Sequence, residues 1–405
     1  MRKGFFHSSA IFNEYESPSL IPKCGICGLY KNCNSPKMPV TGKGKKKTLV
    51  VAEAPGKDED ARNTQLIGPV GQLLRKHLSK IDIDLDEDCW KTNAIICRPS
   101  KDNRTPTDKE IEYCRPNLIS VVKELNPERI LLLGGAAVSS LIGSVWKRDI
   151  GAVSRWVGWK IPDQTYNAWI CPTYHPSYVL REENEVLNLW FSRHLKEIFE
   201  LEGRPWKKIP DYKSRIEIEF NSEVAAKKIY YMRDYPGIAA FDYETTMLKP
   251  DSKDSQIVCC SIAWGSTDTV RCISFPFDSK TKAALSNFLK SPIPKVASNI
   301  KFEDRWTKKV FDHGVRSWKW DTMQAAHILD NRSGITSIKF QAYVHLGFPS
   351  YDENISPFLE GGTTTVNRIL SEVSMDQLLL YCGLDSLLEL EVAFKQMELL
   401  GVRIC

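Results

Sequence analysis

The chain has 405 residues, more than one hydrophobic core usually holds, so we expect two domains. Its composition, with 42% hydrophobic and 26% charged residues, is typical of a globular protein and excludes an intrinsically disordered chain. The formal net charge of +5 is mildly basic. That balance suits a partner with phosphates, but it also occurs in many proteins without one.

The sequence argues against membrane insertion and secretion. It contains no run of eighteen apolar residues, and its start, MRKGFFHSSAIFNEYES, interrupts its apolar residues too early for a secretory signal. Twelve cysteines are too dilute here for a disulfide scaffold, and several stand at metal-ligand spacing. We therefore expect a cytoplasmic protein, in the host cytoplasm if a phage encodes it, with a metal or cluster site and no membrane partner.

The first half of the chain alternates strand and helix patterns. The apolar runs KTLVVAE (47–53) and RILLLGG (129–135) predict buried strands, and residues 72–78 and 136–142 have helical patterns. This alternation is typical of a parallel α/β sheet.

A change of composition separates the two halves. The segment GRPWKKIPDYK (203–213) combines two prolines, a glycine and four basic residues without a regular period. It predicts a linker over 204–213, between a domain over 1–203 and a domain over 214–405. After it, RIEIEF (215–220) predicts a strand, 223–232 a helix, and IAAFDY (238–243) a buried strand that ends in carboxylates.

Acidic residues recur in three motifs of the second half. Asp242 and Glu244 stand two apart on a predicted strand, so both side chains point to one face and can share a divalent ion. Such a pair alone is more often simply solvated. However, Tyr381 and Asp385 stand at i and i+4 in a helical segment, and Glu303 lies in the polar stretch SNIKFEDRW. Three motifs in this order favour one shared site.

These motifs carry a family resemblance. FDYET, NIKFE and YCGLD, with WDTMQAAHIL between the last two, resemble the exonuclease motifs of the DEDD superfamily in its proofreading-polymerase branch, over about residues 214–400. The resemblance implies a ribonuclease H-like mixed sheet. It also implies two-metal phosphodiester hydrolysis that releases nucleoside 5′-monophosphates.

The resemblance assigns roles to five residues. The ligands of two Mg²⁺ or Mn²⁺ ions would be Asp242, Glu244, Glu303 and Asp385, and Tyr381 would position the attacking water. One position departs from the family, because Glu303 stands where the second motif usually has aspartate, and Asp304 follows it. The histidine branch of the superfamily would need histidine at Leu380, so the tyrosine branch is favoured.

Four cysteines of the first half suggest a metal site. Cys24 and Cys27 form a C-x-x-C motif, and Cys97 and Cys114 follow some seventy residues later. Four thiolates bind either zinc or a [4Fe-4S] cluster, and their spacing does not separate the two.

A second resemblance covers Cys24 to about Arg181. AEAPGKDED, LIGPVGQLL, TNAIICRPSKDNRTP, ILLLGGAA and TYHPSYVLR resemble successive motifs of the family-4, iron-sulfur uracil-DNA glycosylases. This resemblance implies a parallel-sheet α/β/α fold and a [4Fe-4S] cluster. The implied cluster ligands are Cys24, Cys27, Cys97 and Cys114, which leaves Cys33, Cys89 and Cys171 as core or surface thiols.

Members of that family flip a base out of the stack into a pocket. The resemblance places the acidic positions at Glu53 and Glu59, the amide that reads uracil at Asn93, and the histidine near the sugar at His175. An asparagine amide offers a donor and an acceptor, which complements the edge of uracil.

Two pocket positions depart from the family. Leu66, in QLIG, stands where the family has a phenylalanine that stacks on uracil, and Asn63 stands where it has glycine. Stacking of a base on an aromatic ring is worth about 1–3 kcal/mol, of which leucine recovers only part. Two interpretations remain open: an active glycosylase, or a retained fold that binds DNA or a polymerase and has lost most base excision.

The order of the two modules resembles the N-terminal part of phage family-A DNA polymerases. About twenty residues follow the third exonuclease motif, so we expect no polymerase domain in this sequence. We expect the partner to be DNA with single-stranded 3′ ends. If the first domain is active, uracil-containing DNA is also a partner. The nuclease would serve proofreading with a polymerase in trans, or repair. An RNA-degrading DEDD enzyme is a third hypothesis, which the glycosylase-like domain disfavours.

Overall fold

The computed structural model describes residues 21–100, 102, 104–267, 269–359 and 365–403. The segment 1–20, in which the sequence argues against a secretory signal, lies outside the described residues. The chain divides into two compact units with a border between Ile209 and Pro210, and Leu346–Ser350 belongs with the first unit. The border falls within the predicted linker, whose ends stay a prediction.

The first unit is an α/β domain. Its described strands are β1 (Thr48–Ala52), β2 (Cys89–Asn93), β3 (Arg129–Leu133), β4 (Ile161–Asp163) and β5 (Ala168–Thr173). Its described helices are α1 (Cys24–Cys27), α2 (Lys57–Arg62), α3 (Pro69–Ser79), α4 (Asp108–Leu125), α5 (Gly134–Val145), α6 (Pro176–Glu182) and α7 (Glu185–Phe199).

The sheet of the first unit is parallel except at one edge. Its strand order is β2-β1-β3-β5-β4, and only β4 pairs antiparallel, with β5. All five positions of β1 and of β3 are buried, which requires cover on both faces of the sheet. Val50 and Leu131 pack on one face with Leu74 of α3 and Phe191 of α7, and the intervening strand residues are equally buried. The predicted α/β/α arrangement is confirmed.

A capping box fixes the start of α4, the helix that carries Cys114. The Thr107 side chain accepts a hydrogen bond from the backbone N–H of Glu110, and the Glu110 carboxylate accepts one from the Thr107 N–H at 2.8 Å. Both otherwise unpaired donors at the helix start are satisfied in this way.

The second unit is also an α/β domain. Its described strands are β6 (Ile216–Ile218), β7 (Ala239–Thr245), β8 (Ile257–Trp264), β9 (Arg271–Pro276), β10 (Lys295–Ala297) and β11 (Trp318–Asp321). Its described helices are α8 (Ser222–Tyr231), α9 (Ser279–Lys290), α10 (Ile300–Phe311), α11 (Thr322–Leu329), α12 (Ile338–Leu346), α13 (Ser356–Leu359), α14 (Ile369–Glu372) and α15 (Met375–Leu399).

The second sheet is mixed, as predicted. Its order is β11-β10-β7-β8-β9-β6, in which β8 pairs antiparallel with both β7 and β9, and the other neighbours pair parallel. One face packs on α8, α9 and α10 through a core that includes Phe241, Phe288 and Trp306. The other face lies under α15, whose Leu378 and Leu379 pack on Val258 and Cys259 of β8.

Helix α15 is the longest described helix, at 25 residues, and most of its side chains are buried. Because apolar residues surround it on several sides, it behaves as a core helix of a globular domain. None of the described helices has the length and apolar composition needed to span a bilayer.

The core on the α9 side of the second sheet predicts a stability difference. Phe288 is 1% exposed and meets Phe241 edge to face at 6.2 Å, so we expect Phe288→Ala to lower the free energy of unfolding by about 3–5 kcal/mol. Tyr231→Ala, at an 85% exposed position of the same unit, should change it by less than about 0.5 kcal/mol. Urea denaturation followed by circular dichroism measures both. Equal midpoints for the two variants would contradict the packing.

Candidate functional site

The two acids of the first exonuclease motif lie side by side on β7. The alternation of the strand turns Phe241 and Tyr243 into the core with α9 and α10, so Asp242 and Glu244 point to the face under α15. Their ligand oxygens and the Cys382 sulfur all lie within 4.8 Å of one another. The predicted sharing of one face is confirmed.

Helix α15 brings the third motif to the same place. Tyr381 and Asp385 are 4% and 5% exposed and stand one turn apart, so they share a helix face. Glu389, one turn further, extends that face and is 2% exposed. The motif comparison missed Glu389, although the spacing of four from Tyr381 through Asp385 was visible in the sequence.

Lys339 of α12 binds Asp385. Its Nζ lies 2.8 and 2.7 Å from the two carboxylate oxygens, and it sits over the rings of Tyr381 at 4.9 Å and Tyr351 at 5.5 Å. The Tyr351 hydroxyl also donates a hydrogen bond to Asp385. Sequence reasoning missed Lys339 and Tyr351, because neither belongs to a motif nor has a telling spacing from Asp385.

The second motif supplies a buried acid. Glu303 is 2% exposed on α10, and its Oε2 has no hydrogen-bond partner among the described residues. The neighbouring Asp304 is occupied elsewhere, because it accepts a hydrogen bond from the Val315 N–H at 3.0 Å and pairs with Lys308 at 2.6 Å. Of these two neighbouring acids, Glu303 is thus the one whose carboxylate keeps an oxygen without a partner among the described residues.

Burial and mutual repulsion shape the electrostatics of the site. Burial, and after it the charge of Asp385, raises the pKa of Asp242 to about 8. Burial likewise raises the pKa of Glu244, Glu303 and Glu389 well above the ordinary value, and the Asp242 charge raises each further. The site therefore favours a bound cation.

The structure brings the predicted carboxylates together only in part. Among the described residues, the trio of Asp242, Glu244 and Cys382 is the one group of three or more acids, cysteines or histidines with such close ligand atoms. Asp385 turns to Lys339, and Glu303 lies in the same buried acidic environment without joining the trio.

The four predicted cluster cysteines line one pocket of the first unit. Cys24 and Cys27 come from α1, Cys97 follows β2, and Cys114 lies on α4. Burial raises the pKa of Cys97 to about 12 and also raises that of Cys114, so both are thiols until a metal binds. The remaining predicted core thiols, Cys89 and Cys171, are fully buried, and Cys33 is half-buried beside this pocket.

The sulfurs of these four cysteines do not gather as closely as the ligands of one bound zinc ion do. A tetrahedral zinc site with Zn–S bonds of about 2.3 Å holds its sulfurs about 3.8 Å apart. No three of these four described cysteines have sulfurs within 4.8 Å of one another.

The predicted pocket residues follow the carboxyl ends of parallel strands. Glu53 comes after β1, Asn93 ends β2 in register with Ala52, and His175 follows β5. Because these strands run parallel, their ends meet at one edge of the sheet. Asn93 is 3% exposed, and its Nδ2 has no hydrogen-bond partner among the described residues.

His175 is held as a neutral imidazole. It caps α6 by accepting a hydrogen bond from the Ser177 N–H at Nδ1, which assigns the ring proton to Nε2. Burial, and then the charge of Arg181, lowers its pKa to about 4. Gly134, at φ +82°, passes so close that a Cβ there would lie 2.8 Å from the His175 Cβ.

The two predicted acidic positions of the pocket, Glu53 and Glu59, have different environments. Burial raises the pKa of Glu53, and the nearby Arg181 opposes that shift. Glu59 instead accepts a hydrogen bond from the Gly68 N–H at 3.0 Å, so it fixes the loop before α3.

The two departures from the family have different consequences. Asn63 caps α2 in the left-handed conformation, at φ +51°, which asparagine tolerates better than most residues. The turn that glycine usually makes is therefore preserved. Leu66 is 4% exposed at φ +55° and packs in the core with Ala52, Leu74 and Val179, which gives it little surface to offer a base.

Comparison with known families separates the same two domains. Residues 39–200 match the model of the uracil DNA glycosylase superfamily, and residues 216–399 match that of a 3′-5′ exonuclease. Among solved structures, Escherichia coli RNase D aligns at a TM-score of 0.34 and 15% identity over 45% of this chain and 44% of its own. A score this low carries no argument about function.

Curated relatives match the first domain and the domain order. A type-4 uracil-DNA glycosylase of Pyrobaculum aerophilum is 35% identical over 171 residues, 40% of this chain and 82% of that enzyme. One of Archaeoglobus fulgidus is 30% identical, over 47% of this chain and 94% of that enzyme. A DNA polymerase of Bacillus phage SP01 is 24% identical over 78% of this chain and 36% of that polymerase. The chain therefore belongs, through its first domain, to the type-4 uracil-DNA glycosylase family, and its second domain is a 3′-5′ exonuclease domain of the DNA polymerase A type.

Proposed function

We propose that the chain is a metal-dependent exonuclease that removes nucleotides from DNA 3′ ends. The observation that carries the proposal is the placement of Asp242 and Glu244 on the strand face that α15 covers with Tyr381 and Asp385. Hard carboxylate oxygens on one strand, beneath a tyrosine and a further acid, are a donor set for divalent ions.

The residues of the site fit such ions. The unpartnered Oε2 atoms of Glu303 and Glu389 support this proposal, and so do their pKa values, which burial and the neighbouring acids raise and which a bound cation would lower again. Two Mg²⁺ or Mn²⁺ ions held by Asp242, Glu244, Glu303 and Asp385 would activate the attacking water and stabilise charge on the attacking and leaving oxygens.

Tyr381 orients the water in this proposal. Burial raises its pKa well above the ordinary value, and the Asp385 charge adds to the shift, so the hydroxyl keeps its proton at neutral pH. A neutral hydroxyl one helical turn from Asp385 can hold a water by hydrogen bonds without itself becoming a base.

The presence of the first domain in the same chain favours DNA over RNA as the substrate of the exonuclease domain. A domain of the uracil-DNA glycosylase superfamily in the same chain supports DNA as the polymer on which both domains act, and a relative that aligns across both domains is a DNA polymerase. We therefore propose proofreading beside a polymerase in trans, or repair. RNA digestion is the competing outcome of a substrate comparison.

Uracil excision is the second proposed function, and the Asn93 amide favours it. Its Nδ2 is a buried donor without a protein partner among the described residues, and leaving such a donor unpaired costs about 1–3 kcal/mol. A flipped uracil would supply the missing acceptor.

His175 fits the same reaction. Its neutral Nε2–H can donate to a carbonyl oxygen of the departing base as negative charge develops there. Glu53, at the same sheet edge, would face the sugar with its own charge. With Leu66 packed in the core, we expect weaker base stacking and slower excision than a phenylalanine would give.

The exonuclease proposal is tested by Asp242→Ala. We expect Mg²⁺-dependent digestion of 5′-labelled single-stranded DNA to fall by roughly a thousandfold, because several kcal/mol of charge stabilisation are lost. Asp376→Ala, at an exposed position in the first turn of α15, should digest normally. A near-normal rate for Asp242→Ala would remove this residue from the site.

Excision is tested on DNA with one uracil, with EDTA present to silence the exonuclease and alkali to cleave abasic sites. We expect cleavage at uracil by the unaltered chain and about a hundredfold less by Asn93→Ala, since two hydrogen bonds to the base are lost. Asn188→Ala, on α7, is the control. If the unaltered chain does not cleave while Mg²⁺-dependent digestion persists, the first domain serves binding alone.

The cluster is tested by metal content. Protein purified without oxygen should be brown, absorb near about 400 nm and contain about four iron atoms per chain. We expect Cys114→Ser to lose this absorbance, while Cys171→Ser keeps it because its thiol is buried away from the pocket. A colourless chain that carries zinc would refute the iron-sulfur assignment.

A further inference from the structure

Cys382 stands inside the carboxylate site, although neither the motif comparison nor the proposed reaction uses it. Its sulfur lies 3.6 Å from Asp242 Oδ2, within the trio completed by Glu244. It precedes Asp385 by three positions on α15, so the sulfur and that carboxylate lie on one helix face.

The position of this thiol is fixed from the strand side. Ser261 pairs directly opposite Asp242 in the sheet, and its hydroxyl donates to the Cys382 carbonyl oxygen at 2.7 Å. The Cys382 sulfur lies 3.3 Å from the same hydroxyl oxygen. Cys382 is thus hydrogen-bonded to Ser261, the residue that pairs with Asp242 in the sheet.

A buried cysteine more often serves as a small apolar side chain. Cys382 does pack beside Leu378 and Leu379. Its sulfur, however, also meets a carboxylate and a hydroxyl, which an apolar filler does not require. These polar neighbours favour the role of a metal ligand for Cys382 over that of an apolar side chain that only fills space.

We propose that Cys382 is a metal ligand, so that the position it forms with Asp242 and Glu244 binds thiophilic divalent ions such as Cd²⁺ and Zn²⁺. This inference rests on the proposed exonuclease site and adds a class of ligand to it. Carboxylates alone select hard ions, whereas a thiolate adds affinity for softer ones. On binding, the sulfur gives its proton to the buffer and forms the metal–sulfur bond, without any change of oxidation state.

One consequence concerns competition between ions. Zn²⁺ and Cd²⁺ would occupy a position that Mg²⁺ also needs, so traces of either should displace Mg²⁺ there. A site of carboxylates alone would show a much weaker preference.

The test is a Cd²⁺ titration of the full chain, followed by the ultraviolet charge-transfer absorption of a cadmium–thiolate bond. The unaltered chain and Cys382→Ser share the cysteines of the first domain, so their difference spectrum reports this sulfur. We expect one equivalent of extra absorption in the unaltered chain and about tenfold weaker Cd²⁺ binding in Cys382→Ser. Asp242→Asn should weaken Cd²⁺ binding as well.

Cys260→Ser is the matched control, because Cys260 is a buried thiol of the neighbouring strand that packs on the opposite face of the sheet. It should keep the full absorption. Cys382→Ala repeats the test if circular dichroism shows that the serine variant is misfolded. An unchanged difference spectrum in the Cys382 variants would overturn the inference. The spectra do not test the exonuclease proposal. That proposal would be overturned if the unaltered chain showed no Mg²⁺-dependent digestion.

Discussion

The second domain is organised around the burial of like charges beneath one helix. Four carboxylates and one lysine ammonium lie under or on α15: Asp242, Glu244, Asp385, Glu389 and Lys339. Glu303 of α10 adds a fifth carboxylate to this acidic environment. Burying an ionised carboxylate is costly unless a partner compensates it. The cost is met by the apolar cores on both faces of the sheet, which hold the acids where solvation alone would separate them.

The sequence predicted the acids of this site better than their surroundings. Period two on β7 and period four on α15 are local geometry, so Asp242 with Glu244, and Tyr381 with Asp385, follow from spacing alone. Lys339 reaches Asp385 from 46 positions away, and no local period encodes that contact. The sequence assigned Glu303 to the site, but it could not show that the neighbouring Asp304 accepts a hydrogen bond from the Val315 N–H.

In the first domain too, the sequence predicted some features of the fold and the site and missed others. Its strand and helix pattern predicted a parallel sheet, whereas the pocket residues came from the family resemblance and not from the strand pattern. The sequence did not show that Asn63 keeps the turn of a missing glycine, nor that Leu66 turns into the core, because both depend on backbone conformation. The proposed reactions of the two domains also differ in kind. Base excision relies on a neutral histidine and an amide, whereas strand digestion relies on divalent ions, so a chelator distinguishes them.

Tyr381 and Cys382 share one turn of α15, and Asp385 and Glu389 lie on the next two turns, so a rise of about 1.5 Å per residue places Tyr381 and Glu389 about 12 Å apart along the axis. The helix thus holds these side chains at fixed spacings. A substitution at one of these positions alters the chemistry there without moving the other side chains. Under the proposed function, one substitution on this helix would change the metal preference or abolish digestion while the fold is kept, so likeness of fold alone does not reveal the activity.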